Sequence, residues 1–380
     1  MDAAYAGVMA LAPPDVELMG LALDQGLTAW PRSVPNPWVG CVVVRDGEVV
    51  GAGATRPPGG PHAEVEALAH AGARARGATV FVSLEPCSHH GRTPPCVDAI
   101  VAAGVARVVV AIGDPDPLVS GAGIAALRAQ GVEVDVGVGA ERAERDLSAY
   151  LVHRREGRAL ALVKLAASID GRIAAADGSS QWITGSAARA DVHRLRAESQ
   201  AVVIGAGTAL ADLPSLTVRD AAVPDAGQPL RVLLDARGRV PASGRLFDPV
   251  LASTLVLTTA AAPDDAVAAW LAAGAKVTHL PEGPDGTGVD LHAVLVHLGG
   301  LGVLQALVEG GATLAGGFVA AGLADRLVAY VAPTVLGVRG LASLAVPGPD
   351  SIGEAPRWRL DAVTRLGDDV RLDYGRREAQ

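Results

Sequence analysis

The stretch SLEPCSHHGRTPPC (residues 83–96) contains two cysteines that are separated by eight residues. A structural zinc ribbon spaces its cysteines by only two to four residues, so this gap indicates another kind of site. The apolar run TVFVSL (residues 79–84) predicts a buried strand before the first cysteine. The double proline before the second cysteine predicts the start of a helix, because proline is tolerated in the first helical turn.

The segment PHAEVEAL (residues 61–68) supplies a third candidate metal ligand upstream of the two cysteines. His62, Cys87 and Cys96 together make three protein ligands, which leaves a fourth tetrahedral position open for water, as a catalytic zinc site requires. The pKa of a zinc-bound water falls to about 7, and Glu64 can serve as the general acid/base. Zinc deaminases have the signature H-x-E…P-C-x-x-C. Here eight residues, instead of two, separate the two cysteines.

Other assignments of these residues stay open at this stage. His89 and His90 are rival ligands, and Cys41 in VGCVVV is interpreted as an inert core residue. A lone H-x-E pattern or a pair of cysteines usually has only a structural role. The zinc hypothesis therefore depends on His62, Glu64 and the two cysteines occurring together. A purely structural zinc module is disfavoured by the three-ligand count and by Glu64.

Alternating strands and helices predict two α/β units. In the first half, Arg45-Asp46-Gly47 between two apolar runs predicts a β-hairpin, followed by an αβαβαβ pattern with parallel pairing. In the second half, strand patterns such as ALVKLAAS, AVVIGAG, LRVLLDA and QALVEGG alternate with helical ones. We expect one domain over residues 1–153 and a second over residues 154–380.

Composition and charge exclude several classes of protein. The chain has 380 residues, half of them hydrophobic, which suffices for two domains. The formal net charge is −9 and no basic run occurs, which argues against nucleic-acid binding. Three cysteines make no disulfide framework, the N-terminus is a poor signal peptide, and no apolar run reaches about 18 residues. We therefore expect a cytoplasmic enzyme without a membrane or nucleic-acid partner.

The segment VEGGATLAGG (residues 308–317) marks a candidate ligand site in the second half. Here a strand ends at Glu309, two glycines follow and a helix begins, so backbone amides can approach a phosphate. A plain strand-to-helix turn explains the same pattern. The segment VVIGAGTALAD (residues 202–212) lacks the third glycine of a Rossmann fingerprint and is weak evidence for one.

Several motifs together resemble the family of bifunctional riboflavin-biosynthesis deaminase/reductases. In the first half these are PNPWVGCVVV, PHAEVEAL, LEPCSHHGRTPPC and GDPDPLVSGAG. In the second half they are VKLAASIDGRIA, SSQWITG, RADVHRLRAES, GTALADLPSLTVR and VEGGATL. The resemblance implies a cytidine-deaminase-like α/β/α domain followed by a dihydrofolate-reductase-like α/β domain.

The implied chemistry is a deamination followed by a reduction. Zinc-dependent hydrolysis would remove the 2-amino group of a diaminopyrimidinone that carries a ribosylamino 5-phosphate. NADPH would then reduce the ribosylamino group to ribitylamino. The substrate is a small pyrimidine ribosyl phosphate, and we expect a homo-oligomer, a dimer or a tetramer.

For the deaminase, motif positions imply that Asn36, Arg92 and Asp114 contact the substrate. Two positions depart from the family pattern. Thr55 stands where a histidine is usual, so we hypothesise that the neighbouring Arg56 takes part of the phosphate role. Asp116 stands where an asparagine is usual.

For the reductase, motif positions imply a substrate set and a cofactor set. The substrate residues are Lys164, Ser180, Arg196, Leu216, Arg219 and Glu309. The cofactor residues are Ala166, Trp182, Thr208, Asp212 and the segment 311–317, with Gly311, Gly316 and Gly317. Arg196 and Arg219 are natural phosphate partners, although each could instead be a solvated charge on a helix or loop.

Two departures on the cofactor side leave the reductase open to another interpretation. Leu213 replaces the second acid of a usual DDP motif, and Ala236 replaces a serine. One alternative is therefore a deaminase with a degenerate reductase domain. Another is a nucleoside or nucleic-acid deaminase, which would have no use for the KLAAS, SSQWITG and VEGG motifs of the second half.

Overall fold

A computed structural model describes residues 13–224 and 227–377 of the chain. The chain divides into two units, Met1–Glu156 and Gly157–Gln380. The start of the segment interpreted as a poor signal peptide, residues 1–12, lies outside the described residues.

The first unit contains a five-stranded sheet with strand order β2-β1-β3-β4-β5. Its elements, in chain order, are α1 (Pro13–Leu27), β1 (Gly40–Arg45), β2 (Glu48–Ala54), α2 (Ala63–Ala71), β3 (Thr79–Val82), α3 (Cys96–Ala102), β4 (Arg107–Val110), α4 (Ala122–Ala129), β5 (Glu133–Val136), α5 (Ala140–Asp146) and α6 (Ser148–Glu156). Strands β1 and β2 form the predicted hairpin, since both turn residues, Asp46 and Gly47, have the positive φ angles that a tight hairpin turn requires. The predicted parallel pairing is confirmed for β3, β4 and β5.

Glycines bring helices close to both faces of this sheet. A Cβ atom at Gly40 would lie 1.8 Å from the carbonyl oxygen of Ala22 in α1. A Cβ atom at Gly53 would lie 2.5 Å from the carbonyl oxygen of Ala63 in α2. In the hairpin, Gly40 pairs with Ala54, the residue next to Gly53. Because successive residues of a strand face opposite sides of the sheet, the Cα hydrogens of Gly40 and Gly53 that replace a side chain point to opposite faces. The sheet is thus covered by α1 on one face and by α2 on the other, which is the predicted α/β/α arrangement.

The second unit contains a nine-stranded mixed sheet with strand order β11-β10-β9-β8-β12-β6-β13-β16-β15. Its elements, in chain order, are β6 (Leu160–Ser168), β7 (Arg172–Ala174), α7 (Ser186–Ala197), β8 (Ala201–Gly205), α8 (Ala206–Asp212), β9 (Leu230–Leu234), β10 (Thr254–Thr258), α9 (Asp264–Ala272), β11 (Lys276–His279), α10 (Leu291–Gly300), β12 (Gln305–Val308), α11 (Ala312–Ala320), β13 (Arg326–Ala332), β14 (Leu341–Ala342), β15 (Trp358–Leu366) and β16 (Asp369–Arg376).

The order of these strands determines where ligands can bind. Strands β6 and β8 to β13 pair in parallel, and β16 and β15 add an antiparallel edge. From β8 the chain proceeds outward through β9, β10 and β11, whereas β12 lies on the other side of β8. Such a switch point opens a crevice at the carboxyl ends of the strands, where open α/β sheets bind their ligands.

Within residues 13–224 and 227–377, no helix is both long and apolar enough to span a bilayer.

Candidate active sites

The three predicted metal ligands of the first unit lie together. His62 immediately precedes α2, Cys87 follows β3, and Cys96 is the first residue of α3. The Nδ1 atom of His62 lies 3.2 Å from the Sγ atom of Cys96 and 3.6 Å from that of Cys87. The three ligand atoms all lie within 4.8 Å of one another. Among the described residues this is the one group of metal-ligating side chains, and neither His89 nor His90 belongs to it.

The geometry and protonation of this cluster fit a zinc ion. Zn–N bonds of about 2.0 Å and Zn–S bonds of about 2.3 Å at a tetrahedral angle imply N···S separations of about 3.5 Å. The observed separations are 3.2 and 3.6 Å. The S–H of Cys96 donates to Cys87, which lowers the pKa of the Cys87 thiol to about 4 and raises that of Cys96. A thiolate is therefore present where a metal needs one.

Glu64 lies in the first turn of α2, two residues after His62. Its side chain is buried, and burial raises the pKa of its carboxyl group above the ordinary value. A buried carboxyl group beside the three ligands can exchange protons with a bound molecule without itself being a ligand. This is the position that the sequence predicts for the general acid/base.

Glu85 was not predicted as a functional residue, although it lies within the opening stretch. Its buried carboxylate accepts hydrogen bonds from four backbone amides, those of Asp114 and Gly121 in the loop and those of Gly123 and Ile124 in the first turn of α4. Glu85 therefore holds the GDPDPLVSGAG loop against the strand that leads to Cys87. The sequence feature that could have identified Glu85 was an acidic residue at the end of an otherwise apolar strand.

Asp114 and Asp116 in that loop are held by α6. The hydroxyl of Tyr150 donates to the carboxylate of Asp114 at 3.0 and 3.1 Å, and the amide of Asp116 donates to the same group at 2.9 Å. Asp116 forms an ion pair with Arg154 at 3.2 Å. The aspartate that departs from the family pattern thus has its own counter-charge in this chain.

The remaining deaminase residues lie on loops. Asn36 is half-buried and Arg92 is exposed, and the structure gives Arg92 no hydrogen bond to another described residue. Thr55 is buried and bonds to the backbone of Val39, so it has a structural role. Arg56 binds a single carboxylate oxygen of Glu66 at 3.0 and 2.8 Å, which leaves part of its guanidinium group free. The substrate roles of Asn36, Arg92 and Arg56 stay predictions.

In the second unit, nearly all predicted reductase residues line one cavity of about 2130 Å³. Those that line it are Lys164, Ala166, Ser180, Trp182, Arg196, Thr208, Asp212, Leu216, Arg219, Glu309, Gly311 and Gly317. Gly316 does not line it. A Cβ atom there would lie 2.3 Å from the carbonyl oxygen of Ala345, so this glycine permits close packing of α11.

Glu309 and its cationic partners form the charged centre of this cavity. The carboxylate of Glu309 binds Arg196 through two bonds, of 2.5 and 2.9 Å, and lies 3.6 Å from the Nζ atom of Lys164. Burial alone would raise the pKa of Glu309, but the charges of Arg196 and Lys164 lower it to about 2. The carboxylate is therefore ionised throughout the neutral range.

The two arginines proposed as phosphate partners differ in environment. Arg196 is largely buried, and its third nitrogen donates to the carbonyl of Thr217, so the interpretation as a solvated helix charge is wrong. Because every nitrogen of Arg196 has a protein partner, its clearest role is to hold Glu309. Arg219 is exposed at the cavity and donates to Ser215, which leaves it as the better phosphate candidate.

Both unusual cofactor-side residues, Leu213 and Ala236, line the same cavity. Leu213 ends α8 in the left-handed conformation with a φ angle of 43°, and its side chain is 67% exposed. Trp182 is similarly exposed, with the guanidinium group of Arg189 4.6 Å from its ring centroid. Such open apolar surface inside a cavity is available to a bound molecule.

Comparison with known proteins agrees with this arrangement. Residues 13–112 match the cytidine and deoxycytidylate deaminase zinc-binding region, and residues 160–372 match the RibD C-terminal domain. The chain is 42% identical over 350 residues to the riboflavin biosynthesis protein RibD of Escherichia coli, covering 89% of this chain and 93% of that protein.

Two solved structures are similar over nearly their whole length. Acinetobacter baumannii RibD superposes with a TM-score of 0.81 at 36% identity, covering 96% of this chain and 99% of that chain. A diaminohydroxyphosphoribosylaminopyrimidine deaminase/5-amino-6-(5-phosphoribosylamino)uracil reductase from Thermotoga maritima superposes with a TM-score of 0.79 at 30% identity, with the same coverage. The present chain belongs to the RibD family of bifunctional riboflavin biosynthesis proteins.

Proposed function

We propose that this chain catalyses a deamination and then a reduction in riboflavin biosynthesis. The first substrate is 2,5-diamino-6-ribosylamino-4(3H)-pyrimidinone 5′-phosphate, which loses its 2-amino group as ammonia. The ribosyl side chain of the product is then reduced to ribityl with NADPH. The proposal assigns deamination to residues 1–153 and reduction to residues 154–380. The family membership and the two sites in one chain support it.

The deamination site consists of His62, Cys87, Cys96 and Glu64. Held by the three ligands, Zn²⁺ would lower the pKa of a water molecule to about 7. Glu64 would take a proton from the attacking water and pass protons to the ring nitrogen and the leaving ammonia. Arg92, which has no other partner among the described residues, would bind the nucleotide from the loop between the two cysteines.

The reduction site is the cavity around Lys164 and Glu309. Its volume of about 2130 Å³ exceeds that of a typical single-ligand pocket, roughly 300–1,000 Å³, so a dinucleotide and a substrate fit together. Helix α11 begins there at Ala312, after an N-cap residue, Gly311, that has no side chain, and its first amides are available to the cofactor phosphates. NADPH would supply the hydride. The ammonium group of Lys164, oriented by Glu309, would donate to the sugar, and Arg219 would bind the substrate phosphate.

The observation that carries the proposal is the pairing, in one chain, of the His62–Cys87–Cys96 cluster beside buried Glu64 with the cavity centred on Lys164 and Glu309. Two variants test it. Glu64→Gln should lower the rate of ammonia release by about 10²- to 10⁴-fold and leave NADPH oxidation with the deaminated substrate unchanged. Lys164→Ala should lower the rate of NADPH oxidation and leave ammonia release unchanged. Ammonia and NADPH are measured separately for each variant, with folding checked by circular dichroism.

Each alternative predicts another result. A degenerate reductase would release ammonia but oxidise no NADPH even in the unmodified protein. A nucleoside or nucleic-acid deaminase would release ammonia from cytidine or single-stranded nucleic acid and not from the pyrimidinone phosphate. If one variant abolished both activities while the fold survived, the assignment of separate sites would be wrong.

A further inference from the structure

The loop between β4 and α4 lies against the metal cluster of the first unit. The amide of Asp114 donates to the carboxylate of Glu85, which stands two residues before Cys87. A Cβ atom at Gly123, where the loop enters α4, would lie 1.9 Å from the carbonyl oxygen of Pro86. Charges on this loop therefore act close to any substrate that is bound at the cluster.

Carboxylates outnumber cations at this loop. Burial raises the pKa of Asp114, and the charges of Asp116 and Glu85 act in the same direction. Among the residues that the structure describes, no cation forms an ion pair with Asp114 or Glu85. Asp116 has one such partner in the same part of the chain, Arg154, whose Nε atom lies 3.2 Å from its carboxylate. Arg154 thus supplies the direct counter-charge of the loop.

Helix α6 holds the loop at two points. Tyr150 and Arg154 are four residues apart, so they lie on the same face of the helix. The hydroxyl of Tyr150 donates to Asp114, while Arg154 pairs with Asp116. The guanidinium group of Arg154 also lies 5.2 Å from the ring centroid of Tyr150 and donates to Nδ1 of His153 at 3.4 Å. These contacts restrict Arg154 to one position beside the loop.

An unpaired carboxylate at Asp116 would oppose binding of the proposed substrate. That substrate carries a 5′-phosphate and is an anion, so negative charge close to its site repels it. Asp116 and Arg154 are both half-buried, where charges are screened less than in open water. Pairing with Arg154 removes this repulsion and fixes the orientation of the Asp116 carboxylate.

We propose that Arg154 is a positioning residue of the deamination site, which neutralises Asp116 and so allows the anionic pyrimidinone phosphate to bind. The inference rests on the proposed deaminase function. Arg154 acts through Asp116, and therefore on substrate binding and not on the chemical step, which belongs to the metal cluster and Glu64. The same pairing explains how this chain accommodates an aspartate where an asparagine is usual, since an asparagine carries no charge to neutralise.

Removal of the two charges, one after the other, tests the inference in the zinc-loaded full chain. Arg154→Met removes the cation but keeps a long side chain beside Tyr150. It should raise the KM for the pyrimidinone phosphate in ammonia release roughly 10-fold and change kcat by less than about 2-fold. Adding Asp116→Asn should restore the KM, because the carboxylate that Arg154 neutralises has then gone too. Arg145→Met is the matched control and should leave the KM unchanged, because Arg145 is similarly exposed and pairs with Asp146 instead of the loop.

Salt provides a second measurement, which a purely structural role of Arg154 would not affect. Dissolved ions screen the repulsion between Asp116 and the substrate phosphate. The excess KM of Arg154→Met should therefore fall as KCl is raised from about 0.05 M to about 0.5 M. The KM of the double variant should depend on salt no more than that of the unmodified protein.

The outcomes are distinct. If Arg154→Met leaves the KM unchanged, or if Asp116→Asn does not restore it, the inference is wrong. A lower kcat at unchanged KM would place Arg154 in the chemical step and would also overturn it. An unmodified protein that releases no ammonia from the pyrimidinone phosphate overturns the proposed function, whereas normal release with no difference in KM overturns the inference alone. If Arg154→Met does not fold, the double variant should fold and keep the KM of the unmodified protein. A double variant that also fails to fold, by circular dichroism, would assign Arg154 to the fold and overturn the inference.

Discussion

Thr93, in the loop between the two cysteines, contacts the ring nitrogen of His62 that faces away from the thiols. Its Oγ1 atom lies 3.3 Å from Nε2, whereas Nδ1 faces Cys96 and Cys87. If Nδ1 binds a metal, Nε2 carries the proton and donates it to Thr93, which fixes both the tautomer and the orientation of the ring. The sequence does not reveal this role of Thr93, because a threonine in a loop gives no signal until its distance to His62 is known.

We expect Thr93→Val to weaken zinc binding by about 10-fold or more, because the variant keeps the shape of the side chain but loses the hydrogen bond to His62. Competition with a chromogenic chelator measures the affinity directly. Thr93→Ser keeps the hydroxyl and should retain most of the affinity of the unmodified protein. Equal zinc affinity in the valine and serine variants would show that Thr93 does not position the ligand.

The position of α2 depends on two glycines in β2. Cβ atoms at Gly51 and Gly53 would lie 2.2 Å and 2.5 Å from carbonyl oxygens of α2. These contacts set the distance between the strand and α2, the helix that follows His62 and carries Glu64. The sequence predicted both elements from their periodicity, but periodicity does not reveal how closely two elements approach.

We expect Gly53→Ala to lower the free energy of unfolding by about 1–3 kcal/mol and to weaken zinc binding, because the added methyl group must push α2 away from the strand. Urea unfolding and chelator competition measure the two effects. Gly20→Ala is the matched control, since Gly20 lies in α1 and its nearest neighbour would be a flexible arginine atom at 3.9 Å. Should Gly53→Ala behave like this control, close packing does not determine the position of α2.

The C-terminal hairpin shows why part of the fold was not predicted. Strands β15 and β16 were not recognised, although they complete the nine-stranded sheet. On β16 the more buried face carries Arg371 and Asp373, and Arg371 pairs both with Asp373 and with Asp191 of α7. Residues 369–374 do alternate between charged and apolar side chains, but the charged ones lie on the more buried face, so a search for a buried apolar stretch passes over this strand.

Over the whole chain, the sequence predicted what depends on local patterns and recognisable motifs. The hairpin, the parallel strands and the family followed from them, and the ligands of the metal cluster were chosen from residue type and spacing. Glu85 and Thr93 were missed, because their roles depend on contacts between distant segments. The same limit applies to Arg196, whose pairing with Glu309 joins residues 113 positions apart.

The charged centre of the second unit should stabilise that unit in a pH-dependent way. Arg196 and Lys164, with a smaller effect of His193, lower the pKa of Glu309 from 4.5 to about 2. A carboxyl group whose pKa is lower in the folded state stabilises the fold above its unfolded pKa, here by about 3 kcal/mol. This stabilisation is lost as the pH falls from about 4.5 to about 2.

We therefore expect Glu309→Gln to lower the free energy of unfolding by about 3 kcal/mol at pH 7, and the difference from the unmodified protein to shrink as the pH falls towards 2. Urea unfolding at several pH values measures this.

Hydrogen exchange at pH 7 should show the loss of protection in peptides from residues 157–377, whereas removal of zinc by a chelator should reduce protection in peptides from residues 13–156. Glu354→Gln removes an exposed carboxylate of the same unit and should change neither measurement. A pH-independent difference between Glu309→Gln and the unmodified protein would mean that the lost stability comes from packing and not from the charge of Glu309.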